Sequence, residues 1–173
     1  VLVIGGGVIG LMAVQLAKLA GAKVLLLTRS PEKQALGLKI GAHYAVGSES
    51  EVRDIWPEGA DLVVECAGVS ATVTLSHKLA RSGGRVVILG VISQGEQVPI
   101  EPFDMLFREI QMHFSFLNPF THERAAKMIA DGTINVSPLV SRIISLEEAA
   151  LAISSPPPKG EVRAIVVPNH DQN

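Results

Sequence analysis

The sequence of 173 residues contains a single cysteine, Cys66, so the chain cannot form an internal disulfide bond. A disulfide-stapled extracellular scaffold is therefore excluded, and a lone thiol favours a reducing, cytoplasmic setting. Charge is also sparse, because only 18% of the residues are charged and the net charge is −2. The basic residues are scattered and form no stripe of the kind that binds nucleic acid, so we expect no nucleic-acid partner.

Long hydrophobic runs are missing as well. Glycine, lysine and arginine interrupt the apolar stretches well before spanning length, so we expect no transmembrane helix and no membrane partner. There is no signal-peptide pattern, and the chain starts at Val1 without an initiator methionine, which leads us to expect a piece of a longer protein. With 47% apolar residues, the composition favours an α/β domain whose central strands are covered on both faces.

The first twenty residues carry the most specific pattern in the chain. Val1 to Ile4 is an apolar run that predicts a buried strand, and the apolar segment from Val8 to Ala20 predicts a helix. Between strand and helix the glycines follow the G-x-G-x-x-G spacing, at Gly5, Gly7 and Gly10. Such glycines allow a tight turn, a close pyrophosphate and close helix packing, while the first helical N–H groups, at Val8 and Ile9, face the phosphates. We predict a dinucleotide site, with a purely structural strand-to-helix turn as the alternative.

Downstream, apolar runs alternate with helical segments, which is typical of a doubly wound α/β fold. Further strands are predicted at 23–28, 43–46, 61–66, 85–91 and 109–117. Helices are predicted at 30–40, 48–56, 70–80, 103–108 and 121–131, the last with Ala125, Met128 and Ile129 on one side. Residues 82–84 are expected to form a turn, and Gln97 to Ile100 is a short exposed strand candidate. We therefore predict a Rossmann domain over residues 1–136 with six parallel strands.

After about Val136 the pattern changes. Residues 138–144 predict an extended segment, Ser145 and Glu148 form a capping box at the start of a helix, and residues 161–167 predict a last strand. We expect this C-terminal segment, residues 137–173, to leave the six-stranded sheet and return toward a catalytic domain outside this chain.

Several short motifs occur in the order of one known family. They are the opening glycine turn, Glu65-Cys66-Ala67-Gly68, Ser82-Gly83-Gly84-Arg85, Leu89-Gly90, and Leu146-Glu-Glu-Ala with a final Val-Val-Pro. The chain resembles the coenzyme domain of medium-chain, zinc-dependent alcohol dehydrogenases, especially the sorbitol and threonine dehydrogenase branch. The resemblance implies a parent enzyme that moves hydride between a nicotinamide cofactor and an alcohol or ketone, with zinc held by an N-terminal domain. The chain alone is then expected to bind the cofactor without catalysis.

The end of the second predicted strand bears on the choice between NAD and NADP. A carboxylate there typically binds the ribose 2′-hydroxyl of NAD, but this sequence has Thr28, Arg29 and Ser30, and its next carboxylate is Glu32. Arginine and hydroxyl groups can bind a 2′-phosphate. By resemblance, NADP-dependent ketose reductases of the family carry a similar Arg-Ser-Pro stretch, and Lys33 matches a lysine near the adenosine ribose. We predict NADP(H), with NAD(H) as the alternative.

The resemblance implies further cofactor contacts. The adenosine side is expected to be bordered by Cys66, Ala67 and Gly68. The nicotinamide carboxamide is expected to bind backbone groups of Leu89, Gly90 and Val91, and the nicotinamide face is expected to lie by Ser115 and Phe116. Phe116 stands where sorbitol dehydrogenases carry arginine, which favours a less polar alcohol or ketone. We interpret Phe114 as a core residue.

No catalytic or metal-ligating residue is assigned to this chain. Its cysteine and its histidines lack the spacing of metal ligands. We interpret the histidines as surface or packing residues; they are His43, His77, His113, His122 and His170. Cys66 is interpreted as a small buried group beside the nucleotide and not as a nucleophile. Two other functions share the glycine turn: a zinc-free quinone or enoyl reductase, whose turn is usually longer, and a non-enzymatic NADP-binding module.

A homodimer is expected from the same resemblance. In that family, strands near the position of Gln97 to Ile100 pair across a two-fold axis. An exposed edge strand needs cover, and Pro99 limits the pairing to one side of the strand. We therefore predict a homodimer through this segment.

Overall fold

The computed structural model describes residues 1–168, which contain eight strands and seven α-helices. The strands are β1 (Leu2–Ile4), β2 (Leu25–Leu27), β3 (Tyr44–Val46), β4 (Ala60–Glu65), β5 (Ala80–Ile88), β6 (Gln111–Phe114), β7 (Val140–Ile144) and β8 (Arg163–Val166). The helices are α1 (Val8–Leu19), α2 (Pro31–Ile40), α3 (Glu49–Ile55), α4 (Ser70–Lys78), α5 (Pro102–Phe107), α6 (His122–Ala130) and α7 (Leu146–Ser154). One turn of 3-10 helix, Ser137–Leu139, precedes β7.

The first six strands form one parallel sheet in the order β3-β2-β1-β4-β5-β6. This is the strand order of a doubly wound Rossmann sheet, so the predicted fold is confirmed. β1 lies at the centre, where the connections change direction, and it pairs in parallel with β2 on one side and β4 on the other. Ligands of such sheets bind at this switch point, beyond the carboxyl ends of the strands.

Two apolar cores cover the two faces of the sheet. Leu2 and Leu25 face one core, which includes side chains of β4, β5, α3 and α4. Val3 and Leu26 face the other, where they pack with Leu11 of α1. All five of these side chains are fully buried, which explains why β1 and β2 are continuous apolar runs and do not alternate with polar residues.

Two helix starts follow the capping pattern of the sequence. The Ser30 hydroxyl accepts a hydrogen bond from the N–H of Lys33, and Pro31 occupies the first position of α2. Ser145 and Glu148 make both bonds of the capping box at α7. The Ser30 cap fixes where α2 begins, and hence where the end of β2 meets its helix.

The strand predicted at Gln97–Ile100 is wrong for the single chain. Residues 96–101 are irregular, Val98 packs against the first core, and the carbonyl of Pro99 accepts a bond of 2.9 Å from the Thr74 hydroxyl. A strand needs a hydrogen-bonded neighbour, and none of the described strands pairs with this segment.

The turn predicted at residues 82–84 lies inside a longer strand. β5 already begins at Ala80, and its register with β4 shifts between Ala60 and Leu62. Gly83 has a φ of +70°, and its N–H donates to the carbonyl of Arg108 at 2.7 Å. The glycines therefore create an irregular stretch within β5 where we expected its start.

The interpretation of Phe114 as a core residue is also wrong. It ends β6, the edge strand, and 76% of it is exposed. On the neighbouring helix α5, Phe103 and Phe107 are similarly exposed, and their ring centroids lie 4.4 Å apart. The apolar side of α6 is poorly covered too, since Met128 is only half-buried and Ile129 is 40% exposed. Within residues 1–168, β6, α5 and α6 thus each present apolar side chains to solvent.

The C-terminal segment does not join the six-stranded sheet. β7 and β8 pair in parallel as a separate two-stranded sheet. Leu139 and Val162 attach it to the second core, and the side chain of Gln15 exchanges two hydrogen bonds with the backbone of Asn135, at 2.9 and 3.0 Å.

The described histidines occupy different environments. The ring of His43 accepts a bond from the N–H of Val24 at 3.0 Å, whereas His113 and His122 are exposed. His77 is fully buried on α4, and this burial lowers its pKa, so its imidazole is neutral at pH 7. His170 lies outside the described residues.

Membrane insertion through a helix finds no support in residues 1–168, none of whose helices combines the length and apolarity that crossing a bilayer requires.

Candidate functional site

A cleft of about 610 Å³ opens at the carboxyl ends of β1 to β4, at the switch point of the sheet. The opening glycine turn forms its floor, and the segment after β2 forms one wall. The start of α4 forms the opposite wall. Eight predicted site residues line it: Gly5, Gly7, Thr28, Arg29, Ser30, Lys33, Cys66 and Ala67.

The three motif glycines each meet a different physical requirement. Gly5 has a φ of +108°, and a Cβ there would lie 2.9 Å from the backbone nitrogen of Ala67. A Cβ at Gly10 would lie 1.9 Å from the carbonyl oxygen of Gly5, so α1 can approach the turn only without a side chain. A Cβ at Gly7 would meet no protein atom within 4 Å. Gly7 is therefore the glycine whose open side faces the cleft.

The N-terminus of α1 is open to an anion. Gly7 is the N-cap, no side chain of the described residues caps it, and the first turn contains no acidic residue. The first N–H of α1 that makes a helical hydrogen bond is that of Leu11, which donates to the Gly7 carbonyl at 2.9 Å. The preceding N–H groups, at Val8, Ile9 and Gly10, carry the positive end of the helix dipole beside the cleft. This arrangement fits a diphosphate.

Gly6 was missed by sequence reasoning, because the motif leaves its position free. A Cβ at Gly6 would lie 2.7 Å from the Thr28 hydroxyl oxygen and 3.0 Å from the Cβ of Lys33. The glycine turn thus presses directly against the end of β2. Only the three-dimensional approach of two segments, and no local pattern, makes this glycine necessary.

The wall after β2 carries basic and hydroxyl groups. Arg29 is exposed, Ser30 and Lys33 are half-buried, and all three line the cleft. The carbonyl of Thr28 accepts a bond of 2.7 Å from the side chain of Gln34, which holds this segment onto α2. No carboxylate of residues 28–33 lines the cleft, whereas arginine and hydroxyls do.

One carboxylate at the rim was not predicted. Glu49, at the start of α3, lines the cleft. It accepts two hydrogen bonds from the guanidinium of Arg53, at 2.8 and 3.0 Å. This partner on its own helix offsets the charge that Glu49 brings to the cleft.

The turn after β4 is fixed by a buried carboxylate. Glu65 is fully buried, and its Oε1 accepts bonds from the N–H groups of Ala67 and Gly68 and from the Thr72 hydroxyl, at 2.7 to 3.0 Å. Burial, together with the nearby Glu65, raises the pKa of the Cys66 thiol to about 12. Cys66 is therefore a neutral thiol at pH 7, which makes it a poor nucleophile.

The wall from α4 could not be predicted from a motif. It is lined by Val69, Ala71, Thr72 and Leu75. Their side chains present mostly apolar surface opposite Arg29, which suits the flat face of a base. Helical periodicity marked this segment as a helix without indicating that one of its faces borders a cleft.

The remaining predicted residues lie farther along the same edge of the sheet, outside the cleft. The backbone oxygen of Glu65 accepts bonds from the N–H groups of Leu89 and Gly90, at 2.9 and 3.1 Å. A Cβ at Gly68 would lie 2.7 Å from the Val91 oxygen. The N–H of Ser115 donates to the Ile88 carbonyl at 3.1 Å, and Phe116 is 78% exposed. Their role in cofactor binding stays a prediction.

Comparison with known proteins identifies the family. Residues 8–132, more than half of the chain, match the family described as Zinc-binding dehydrogenase. The chain belongs to the zinc-binding dehydrogenase family. The Rossmann sheet and its glycine turn are the coenzyme-binding half of this family, as the sequence resemblance predicted.

Relatives within the zinc-binding dehydrogenases include enzymes named for polyols. The chain is 30% identical to D-arabinitol dehydrogenase 1 of Uromyces fabae, over 97% of this chain and 51% of the relative. It is 30% identical to sorbitol dehydrogenase of Gallus gallus, over 90% of this chain and 46% of the relative. The chain thus spans about half the length of these curated relatives.

A crystal structure supplies the corresponding structural comparison. A candidate zinc-binding dehydrogenase from Sinorhizobium meliloti 1021, bound to NADP, superposes with a TM-score of 0.92 and is 49% identical. The match covers 96% of this chain and 52% of that one. The fold of this zinc-binding dehydrogenase chain is therefore shared closely with a protein that binds NADP.

The described part of this zinc-binding dehydrogenase chain holds no evident metal centre. Within residues 1–168, no three histidine, cysteine, aspartate or glutamate side chains are grouped so that they could hold a metal ion. Zinc ligation, which the family name implies, is therefore assigned to no residue in this part of the chain.

Proposed function

We propose that this chain is the coenzyme-binding domain of a zinc-dependent dehydrogenase that transfers hydride between NADP(H) and an alcohol or ketone. The observation that supports it most is the glycine turn, where the open side of Gly7 meets uncapped N–H groups of α1. Residues 1–136 would form the cofactor domain. Residues 137–173 would return toward a catalytic domain outside this chain, which would supply the zinc.

The residues of the cleft suggest how the cofactor would lie. The diphosphate would accept hydrogen bonds from the first N–H groups of α1, and the adenosine would lie between the wall after β2 and the α4 wall. The nicotinamide would extend along the sheet edge toward Leu89, Gly90 and Val91, with Ser115 and Phe116 beside its face. When bound, the nicotinamide accepts or gives the hydride, and the chain's own residues bind and orient it.

The cleft favours NADP over NAD. Thr28 and Ser30 offer hydroxyl groups, and Arg29 offers a guanidinium that can form charge-assisted bonds to a 2′-phosphate. The similarity to a protein crystallised with NADP supports the same preference. Two alternatives would also fit an NADP site: a zinc-free quinone or enoyl reductase, and a non-enzymatic NADP-binding module. The similarity to zinc-binding and polyol dehydrogenases favours the proposed function over both.

Replacement of Arg29 by alanine tests the preference. We expect the Kd for NADP to rise by about tenfold or more, because a charge-assisted hydrogen bond typically contributes about 1.5–3 kcal/mol. The Kd for NAD, which lacks the phosphate, should change less than about twofold. Isothermal titration of both cofactors measures the two effects. Arg124→Ala, which removes an exposed arginine on α6, is the control, and an equal loss of NAD and NADP would contradict the proposal.

Two observations bear on the substrate class, and they point to different alcohols. The relatives named above point to polyols, whereas the exposed apolar ring of Phe116 at the nicotinamide end favours a less polar alcohol or ketone. We propose an alcohol or ketone of this broader class. The catalytic groups would lie outside this chain, which on its own would bind the cofactor without turnover. The cytoplasmic location favoured by the single cysteine stays a prediction.

A homodimer through Gln97–Ile100 remains part of the proposal, although this segment is irregular in the single chain. Its strand would form only against a second copy, and the exposed apolar side chains of the adjoining α5 would be covered at the same time. Sedimentation velocity of the full-length protein at micromolar concentration should give a dimer. Ile100→Asp should shift it to monomer, whereas Leu38→Asp, on α2, should not. A monomeric wild type would contradict this part of the proposal.

A further inference from the structure

The C-terminal segment reaches the start of α2, beside the cleft. In the loop before β8, the ammonium of Lys159 lies 3.2 Å from Oε1 of Glu32. The next residue, Gly160, packs on the same side chain, because a Cβ there would lie 3.0 Å from the Cβ of Glu32. Residues far apart in sequence thus meet at the helix that follows the predicted 2′-phosphate position.

The loop that carries Lys159 is anchored on both sides. Pro156, Pro157 and Pro158 precede it, and each proline ring restricts the backbone. After it, the side chain of Glu161 accepts a bond of 2.5 Å from Arg142. The N–H of Val162 donates to the Ser141 hydroxyl at 2.9 Å. The separate β7–β8 sheet therefore determines where the backbone of Lys159 lies, within reach of Glu32.

Glu32 connects this lysine to the cleft. Its Oε2 accepts a hydrogen bond of 2.6 Å from the hydroxyl of Ser30, and Ser30 lines the cleft. The hydrogen bond from Ser30 and the contact with Lys159 help to lower the pKa of Glu32 to about 2. Glu32 is therefore ionised at pH 7, and a negative charge stands next to a hydroxyl expected to meet the 2′-phosphate.

An uncompensated carboxylate at this place would repel a 2′-phosphate. The phosphate carries a charge of about −1.5 to −2 at pH 7, whereas the 2′-hydroxyl of NAD is neutral. The ion pair is largely exposed, with 82% of the Lys159 side chain accessible, so it adds little to stability. The ion pair instead reduces the negative charge that Glu32 would place near a bound 2′-phosphate.

We infer that Lys159 is a specificity-determining residue, which neutralises Glu32 so that the 2′-phosphate of NADP can bind Arg29 next to Ser30. This inference rests on the proposed NADP-binding function. It makes the cofactor preference depend on a segment about 130 residues away in sequence from α2 (159 against 32). The C-terminal segment thereby takes part in cofactor choice without lining the cleft.

The test is a charge-removal cycle in the purified full-length protein. Lys159→Met should raise the Kd for NADP about three- to tenfold at low ionic strength, because the exposed carboxylate then repels the phosphate dianion across water. The Kd for NAD should change less than about twofold. In a Glu32→Gln background, Lys159→Met should have a clearly smaller effect, because no carboxylate is then exposed by the loss of Lys159 and the lysine itself is no longer held beside the cleft by its ion pair. Lys39→Met, at the other end of α2 and about 10 Å away along the helix, is the control.

The outcomes separate the inference from the function on which it rests. If the wild type binds neither cofactor, the proposed function fails and the inference fails with it. If the wild type prefers NADP but Lys159→Met leaves that preference unchanged, only the inference is overturned. An equal loss of NADP and NAD would overturn the inference by showing that Lys159 acts on structure. An undiminished loss in the Glu32→Gln background would overturn it by showing that Lys159 does not act through the charge of Glu32.

Discussion

Replacing Gly7 by alanine should abolish dinucleotide binding and leave the fold intact. The backbone of Gly7 has a φ of −80° and a ψ of −177°, which alanine adopts without strain. Its Cβ would contact no protein atom within 4 Å, and Gly7 lines the cleft at the start of α1. The methyl group would hold a diphosphate away from the N–H groups. Loss of two charge-assisted bonds corresponds to a rise in Kd of about a hundredfold or more.

Two measurements on the Gly7→Ala protein separate binding from folding. Isothermal titration with NADP should show little or no binding, and the thermal midpoint without cofactor should stay within about 2 °C of the wild type. Ile9→Ala is the matched control, because it removes an exposed side chain from the same turn and leaves the backbone N–H groups in place. Wild-type affinity in Gly7→Ala would mean that no phosphate lies over this turn.

Replacing Gly10 by alanine should instead damage the fold. A Cβ at this position would lie 1.9 Å from the carbonyl oxygen of Gly5 and 3.0 Å from its carbon, and both are backbone atoms that cannot rotate away. Either α1 or the glycine turn must shift, and the packing of Leu11 and Val14 against the sheet shifts with it. We expect the free energy of unfolding to fall by about 3 kcal/mol or more, at the upper end for overpacking.

Urea unfolding measures this loss, and Gly37→Ala supplies the comparison. A Cβ at Gly37 would lie 2.4 Å from Cδ2 of Leu26, which is the end of a flexible side chain. Alanine also stabilises the interior of a helix such as α2 by about 1 kcal/mol relative to glycine. Gly37→Ala should therefore be less destabilising than Gly10→Ala. A free energy of unfolding within about 1 kcal/mol of the wild type for Gly10→Ala would contradict the close approach of helix and turn.

The sequence carried enough information to predict the sheet and the glycine turn. Strand and helix patterns are local, and the apolar residues of β1 and β2 were continuous because both faces of the sheet are covered. Gly5 and Gly10 occupy positions whose requirements recur wherever a strand turns tightly into a helix over a phosphate. The capping box at Ser145 was predicted for the same reason, since a cap is decided within four residues.

The features that sequence reasoning missed depend on contacts between distant segments. Gly6 is needed because β1 and β2 meet at its side, and Glu49 reaches the rim because β3 ends beside β2. Phe114 was interpreted as a core residue because it is an aromatic side chain in a predicted strand, but an edge strand is buried only by whatever packs against it. The segment Gln97–Ile100 is likewise not a strand, because no described strand lies beside it to pair with. Such features depend on the assembled fold, and no local sequence pattern indicates them.

The central claim is that a nicotinamide dinucleotide binds with its diphosphate over the opening turn. A crystal structure of the protein with NADP tests it most directly. We predict phosphate oxygens about 3 Å from the backbone nitrogens of Val8 and Ile9, and the 2′-phosphate beside Arg29. A cofactor bound elsewhere, with no phosphate at this turn, would contradict the account.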